Sequence, residues 1–130
     1  MAGNNIEKSD RIRVLLVDDE EGFVDVLAKR LSRRNFEATA AYNGTEAVQI
    51  LRRTDFDIAV LDLKMEGMNG IEVLKIFKIM APDLPVIILT GHGSLSSAEE
   101  GLKAGATDYI SKPYEFEKLV EKILSITEKE

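Results

Sequence analysis

Five times along the chain, a short and nearly continuous apolar run gives way to a segment whose apolar residues recur every three or four positions. The runs Ile12-Arg13-Val14-Leu15-Leu16-Val17, Ile58-Ala59-Val60-Leu61 and Val86-Ile87-Ile88-Leu89 are rich in β-branched residues. Such runs fit strands buried on both faces of a parallel sheet. Phe36-Glu37-Ala38-Thr39-Ala40 alternates instead, which suits an edge strand with one wet face. Residues 107–110 form a short fifth candidate. Between the strands, Phe23, Val26, Leu27 and Leu31 keep helical spacing. So do Val73, Ile76, Phe77 and Met80, and later Phe116, Leu119, Val120 and Ile123. Asn43, with Glu46 three residues on, marks a helix start. The helix opening near Ser94 has the thinnest face, Leu95, Ala98 and Leu102, interrupted by Gly101 and ended by Gly105. Repeated strand–helix units with right-handed crossovers predict a single doubly wound α/β domain of (βα)5 type.

Length and charge narrow the class further. A chain of 130 residues suffices for one domain with a real core. Residues 1–10 are expected to be a loose polar leader, 11–127 the folded domain and 128–130 a tail. The net charge is −6, and no basic stripe is present, which argues against direct nucleic-acid binding. Without cysteine, disulfides and thiolate metal sites are excluded. No signal peptide or membrane-length apolar run is visible, so the expected location is the cytoplasm, with no membrane partner.

Charged residues close the strands. Asp18 and Asp19 follow the first, Asp62 follows the third, and Lys112 stands just past the fifth with Pro113 behind it. With strand order 2-1-3-4-5, the topological switch point falls between strands 1 and 3, where the carboxyl ends converge on a ligand crevice. Three carboxylates in one pocket need a cation to offset their repulsion. Mg²⁺ takes oxygen ligands and often uses only one or two carboxylates. Asp19 and Asp62 are the first choices as direct ligands, with Asp18 acting partly through water and Mn²⁺ able to substitute. Asp62 is also the best nucleophile, since a carboxylate can attack phosphorus to give an acyl phosphate. Lys112 would then stabilise the transferring phosphoryl oxygens. Thr90, ending strand 4, can donate a hydroxyl hydrogen bond to the same group.

Taken alone, each piece has a plainer explanation. Acids behind a strand suit a helix N-terminus, which accounts for Glu20 and Glu21. Lys112 could be a solvated charge before a turn, and Tyr109 a half-buried core aromatic. In order and at this spacing, however, Val17-Asp18-Asp19-Glu20, Leu61-Asp62-Leu63, Met68-Asn69-Gly70, Leu89-Thr90-Gly91 and Asp108-Tyr109-Ile110-Ser111-Lys112-Pro113 resemble the receiver domain of bacterial two-component response regulators. The resemblance covers about residues 11–127 and implies a flavodoxin-like fold. It implies that Asp62 accepts phosphate from a phosphohistidine of a sensor histidine kinase or phosphotransfer protein. Asp18 and Asp19 would be the acidic metal pair, with the backbone carbonyl of Lys64 completing the shell. Thr90 and Tyr109 would be the switch pair, Lys112 would contact the phosphoryl group, and the bond before Pro113 would be cis. The output would be a changed surface of helix 4, strand 5 and helix 5, read by a partner, an output domain or a second copy. The domain would act as a signalling switch and not as an enzyme, apart from self-catalysed transfer and slow hydrolysis.

One departure stands out. The family commonly has proline four residues after the phosphorylated aspartate, and Glu66 stands there. Lys64, Glu66 and His92 are candidates for tuning the lifetime of the phosphorylated state. Gly91-His92-Gly93-Ser94 is too short for a phosphate-binding loop and lacks its lysine. A flavin-binding alternative conflicts with the four acids after strand 1. A phosphatase with an aspartate nucleophile would commonly carry a second aspartate where Lys64 stands. A degenerate receiver that only binds partners conflicts with the full set of chemical residues.

Overall fold

The computed structural model describes residues 11–65, 67–91 and 95–128. The expected leader, Glu66, His92 and the last two tail residues lie outside the described residues. The chain runs β1 (Ile12–Val17), α1 (Glu21–Ser32), β2 (Phe36–Ala41), α2 (Gly44–Arg53), β3 (Ile58–Asp62), α3 (Gly70–Met80), β4 (Val86–Thr90), α4 (Leu95–Lys103), β5 (Asp108–Ser111) and α5 (Phe116–Thr127). A two-residue antiparallel pair, Lys64–Met65 with Met68–Asn69, stands between β3 and α3. The sheet is parallel throughout, in the order β2-β1-β3-β4-β5. Both the strand count and the order match the expected fold.

Every residue of β3 and β4 is buried, which explains their unbroken apolar sequence. Successive side chains of a strand point to opposite faces. Val14 and Leu16 of β1 therefore enter a core under α1 and α5. Leu15 and Val17 enter another core built with Val73, Leu74 and Phe77 of α3. Each large side chain removed from water contributes about 1.5–3 kcal/mol. Asn43 caps α2, its Oδ1 accepting from Glu46 N–H at 2.8 Å, while Glu46 Oε1 accepts from Tyr42 N–H at 2.7 Å. This is the reciprocal capping that the Asn43–Glu46 spacing predicts, displaced by one residue.

The helix faces differ from expectation. In α1, Val24, Leu27 and Leu31 are buried, whereas Phe23 and Val26 are 41% and 58% exposed. In α3, Ile71, Val73, Leu74 and Phe77 are buried, and Ile76 faces outward. In both helices two apolar stripes overlap in sequence, and the sheet selects one. In α4 only Ala98 and Gly101 are buried; Leu95 and Leu102 are exposed. Gly101 is not an interruption but a contact. A Cβ there would lie 2.1 Å from Ile88 Cδ1, so the missing side chain lets α4 settle on β4.

Candidate functional site

The C-terminal edge of the sheet gathers the charged residues. Asp18 follows β1 directly, and its N–H donates to the carbonyl of Ala41 at 3.1 Å, tying it to β2. Its Oδ1 accepts from Glu20 N–H at 3.0 Å. Asp62 ends β3 and is almost fully buried, like Asp18. Asp62 Oδ1 accepts from Lys64 N–H at 3.1 Å, and Oδ2 accepts from Lys112 Nζ, also at 3.1 Å. Lys112 Nζ is 3.7 Å from Asp18 Oδ2. The lysine is positioned by its own backbone, whose N–H donates to Thr90 O at 2.8 Å. The peptide bond from Lys112 to Pro113 is cis, as the resemblance implies.

Asp18, Asp19 and Asp62 each place one carboxylate oxygen within 4.8 Å of the others. Burial pushes the Asp18 carboxyl up from 3.8 to about 6; the Glu20 N–H opposes the rise and the Asp62 charge adds to it. For Lys112, burial disfavours the charge. The hydrogen bond to Asp62 and the carboxylates of Asp62, Asp18 and Glu20 more than offset this, so its pKa is raised. Asp18 Oδ2 is buried and has no hydrogen-bond partner among the described residues. The three carboxylates, one of them with an unsatisfied oxygen, make a donor set that fits a hard divalent cation, and the single ammonium of Lys112 beside them offsets only part of their charge. The cavity beside it measures about 470 Å³ and is lined by Asp19, Glu20, Asp62, Lys64, Gly91 and Lys112, with Met65 below.

Thr90 ends β4 one strand away, since Asp62 pairs with Leu89 and Thr90 with Ser111. It is buried, and its Oγ1 finds no hydrogen-bond partner among the described residues. Tyr109 lies two residues before Ser111 on β5, half-buried against the α3-side core. Lys64 is exposed beyond Asp62. The structure thus brings Asp18, Asp19, Asp62 and Lys112 together, with Thr90 alongside and Tyr109 one strand further out.

The family model described as the response regulator receiver domain matches residues 14–124. The chain belongs to this family.

As a receiver domain, it is a phosphorylation-dependent signalling module of two-component systems. It is 37% identical over 110 residues to the transcriptional regulatory protein ZraR of Klebsiella oxytoca, covering 85% of this chain and 25% of that protein. It is 36% identical over 112 residues to the photosynthetic apparatus regulatory protein RegA of Cereibacter sphaeroides, covering 86% and 61% of the two chains. A solved CheY-like receiver domain protein from Methanospirillum hungatei matches with a TM-score of 0.84 at 31% identity, over 89% of this chain and 93% of that one. The chain spans about a quarter of the length of the first curated relatives it matches. No helix among the described residues is long and apolar enough to cross a membrane.

Two residues beside the receiver site have no role assigned from the sequence, although Gly70 stands in the matching piece Met68-Asn69-Gly70. A Cβ at Gly70 would meet Leu63 Cα at 2.5 Å and Leu63 O at 2.6 Å. Glycine therefore lets the first turn of α3 lie on the chain immediately after Asp62, and Gly70 N–H donates to Leu63 O at 3.2 Å. Its place after the helix-capping Asn69, whose Oδ1 accepts from Ile71 N–H, was the available signal. Tyr114 places a buried hydroxyl near the acids, which nothing in its local sequence announces.

Proposed function

We propose that Asp62 is the phosphoacceptor of this receiver domain and that its phosphorylation resets the surface of α4, β5 and α5. The observation that carries this reading is the 3.1 Å contact of Lys112 Nζ with Asp62 inside the three-carboxylate group. Asp62 Oδ1 is held by the Lys64 N–H, which orients the carboxylate for attack. A carboxylate oxygen attacks the phosphorus of a kinase or phosphotransfer phosphohistidine. The new O–P bond forms as the N–P bond breaks, and its electron pair returns to the imidazole. Lys112 stabilises the charge on the phosphoryl oxygens. Asp18, Asp19 and Asp62, with the Lys64 carbonyl, would hold Mg²⁺, or Mn²⁺ in its place. When bound, the ion supplies positive charge against the same oxygens.

The Thr90 hydroxyl, without a hydrogen-bond partner among the described residues, is set to turn toward the phosphoryl group, leaving space for Tyr109 to move inward. A sensor histidine kinase or phosphotransfer protein is the donor. An output domain or a second copy reads the changed surface, and no nucleic acid is bound by this domain itself. Lys64 at the pocket mouth, together with Glu66 and His92, is proposed to tune how fast water reaches the acyl phosphate. The switching unit spans residues 11–127, acting in the cytoplasm.

Acetyl phosphate with Mg²⁺ should add one base-labile phosphoryl group, detected by intact mass. Asp62→Asn should accept none, and equal labelling of that variant would sink the assignment.

A further inference from the structure

Helix α4 has a narrow footing, and one residue concentrates it. Only Ala98 and Gly101 of α4 are buried. A Cβ at Gly101 would collide with Ile88 Cδ1 and would meet Leu63 Cδ1 at 3.8 Å. The bare backbone there rests on two side-chain ends. One comes from the middle of β4, the other from the residue that follows Asp62. The Gly101 carbonyl also accepts from Ala106 N–H at 3.0 Å, so the same residue ties α4 to the segment entering β5.

Leu63 is firmly seated at its backbone. Its N–H donates to Leu89 O at 3.1 Å, and its carbonyl accepts from Gly70 N–H at 3.2 Å. Gly70 lies against the Leu63 Cα, where a side chain would not fit. The Leu63 backbone is therefore held by β4 on one side and by α3 on the other. Its half-buried side chain packs with the α3-side core. Close-packed interiors transmit displacement because few voids absorb it. A shift of the chain at Asp62 thus reaches Gly101 through a single side chain. Thr90 ends β4 and precedes α4 in the chain, so any route through it is separate.

We propose that Leu63 is the positioning residue for α4. Its side chain sets where the helix rests and passes movement at Asp62 to it independently of Thr90. The resting role stands by itself, whereas the passage of movement rests on the phosphoacceptor reading of Asp62.

Amide exchange in the full chain, without metal or phosphate, tests the resting role. Leu63→Ala should speed exchange across residues 95–103 about tenfold relative to α1 and α5. Leu63→Met keeps the reach of the side chain and should leave that ratio within about twofold of wild type. Leu74→Ala, a truncation in the fully buried core under α3, should lower overall stability without singling out α4. Uniform acceleration in Leu63→Ala, an equal change in Leu63→Met, or a selective α4 response in Leu74→Ala would overturn the proposal. Beryllofluoride with Mg²⁺ tests transmission, its ¹⁹F signal reporting occupancy at Asp62. The α4 shift changes that remain in Thr90→Ala should fall several-fold further when Leu63→Ala is added. With ¹⁹F occupancy intact, no remaining change in Thr90→Ala, or one untouched by the second substitution, would overturn transmission through Leu63. Loss of the ¹⁹F signal in wild type would instead overturn the reading of Asp62.

Discussion

Helices on opposite faces of the sheet are not equally well anchored. On one side, α1 buries Val24, Leu27 and Leu31, and α5 buries Leu119, Val120 and Ile123. Beyond β4, α4 buries only Ala98 and Gly101. Apolar area removed from water sets most of the cost of displacing a helix. The acid pocket lies between these regions, with Asp18 on the well-anchored side and Thr90 at the root of the thinly anchored one. A change at Asp62 therefore meets one neighbour that is costly to move and one that is cheap. Moving parts of a protein come from its low-stability end.

The most severe challenge to this contrast is truncation. Leu119→Ala should destabilise the domain by about 2–5 kcal/mol, as buried leucine truncations do. Leu102→Ala, at a site 40% exposed, should stay within about 0.5 kcal/mol. Urea unfolding midpoints measure both, and similar losses would erase the distinction.

Glycines provide a finer comparison. Gly70 faces the backbone of Leu63, which cannot rotate away, whereas Gly101 faces the flexible end of Ile88. Gly70→Ala should cost about 1–3 kcal/mol and impair phosphorylation, because the displaced backbone adjoins Asp62. Gly101→Ala should cost less than Gly70→Ala, because the clash is with a side-chain end. Ile88 is nevertheless fully buried and must repack, and a helix-propensity gain of up to about 1 kcal/mol offsets part of the overpacking. Its amide shifts should concentrate in α4 and β4. A larger stability loss from Gly101→Ala than from Gly70→Ala would reverse the assignment of the rigid side.

How much of this was legible in the sequence follows from the same physics. Strands β1, β3 and β4 were plain because burial on both faces demands unbroken apolar runs. The acids and Lys112 were plain because strand ends converge whatever the helices do. The faces of α1 and α3 were not, because Phe23 and Ile76 fit helical spacing as well as Val24 and Leu74 do. Gly101 looked like a flaw, since nothing local tells a weakened helix from a close approach to Ile88. Tyr114 acquires its burial from the path of the chain after Lys112, which periodicity does not encode.

Thr90→Ala tests transmission across the boundary. The variant should still take phosphate at Asp62. In wild type, a beryllofluoride mimic should alter amide exchange through α4 and β5; in Thr90→Ala those changes should shrink several-fold. Changes confined to the acid pocket in wild type would show that α4 is thinly packed for some other reason than switching.

The last expected effect concerns the anchored side, where burial strains the Asp18 carboxylate. Its carboxyl is raised from 3.8 to about 6, chiefly by burial. Between those values the folded protein retains a proton that the unfolded chain has lost. Stability from this group is therefore full at the acid end and declines as pH rises through about 6. Asp18→Asn should remove that part of the slope between pH 4 and 7 in metal-free buffer. A divalent ion competes with the proton, so Mg²⁺ affinity of the wild type should fall as pH drops below about 6, by at most about tenfold per unit for one displaced proton. Saturating Mg²⁺ should likewise flatten the stability profile near neutrality, since binding to the folded state alone adds stability. Urea midpoints measured across this range with and without Mg²⁺ decide the matter. An unchanged slope in Asp18→Asn would mean that the buried carboxylate is stabilised within the fold, and that the anchored side carries no stress for a cation to relieve.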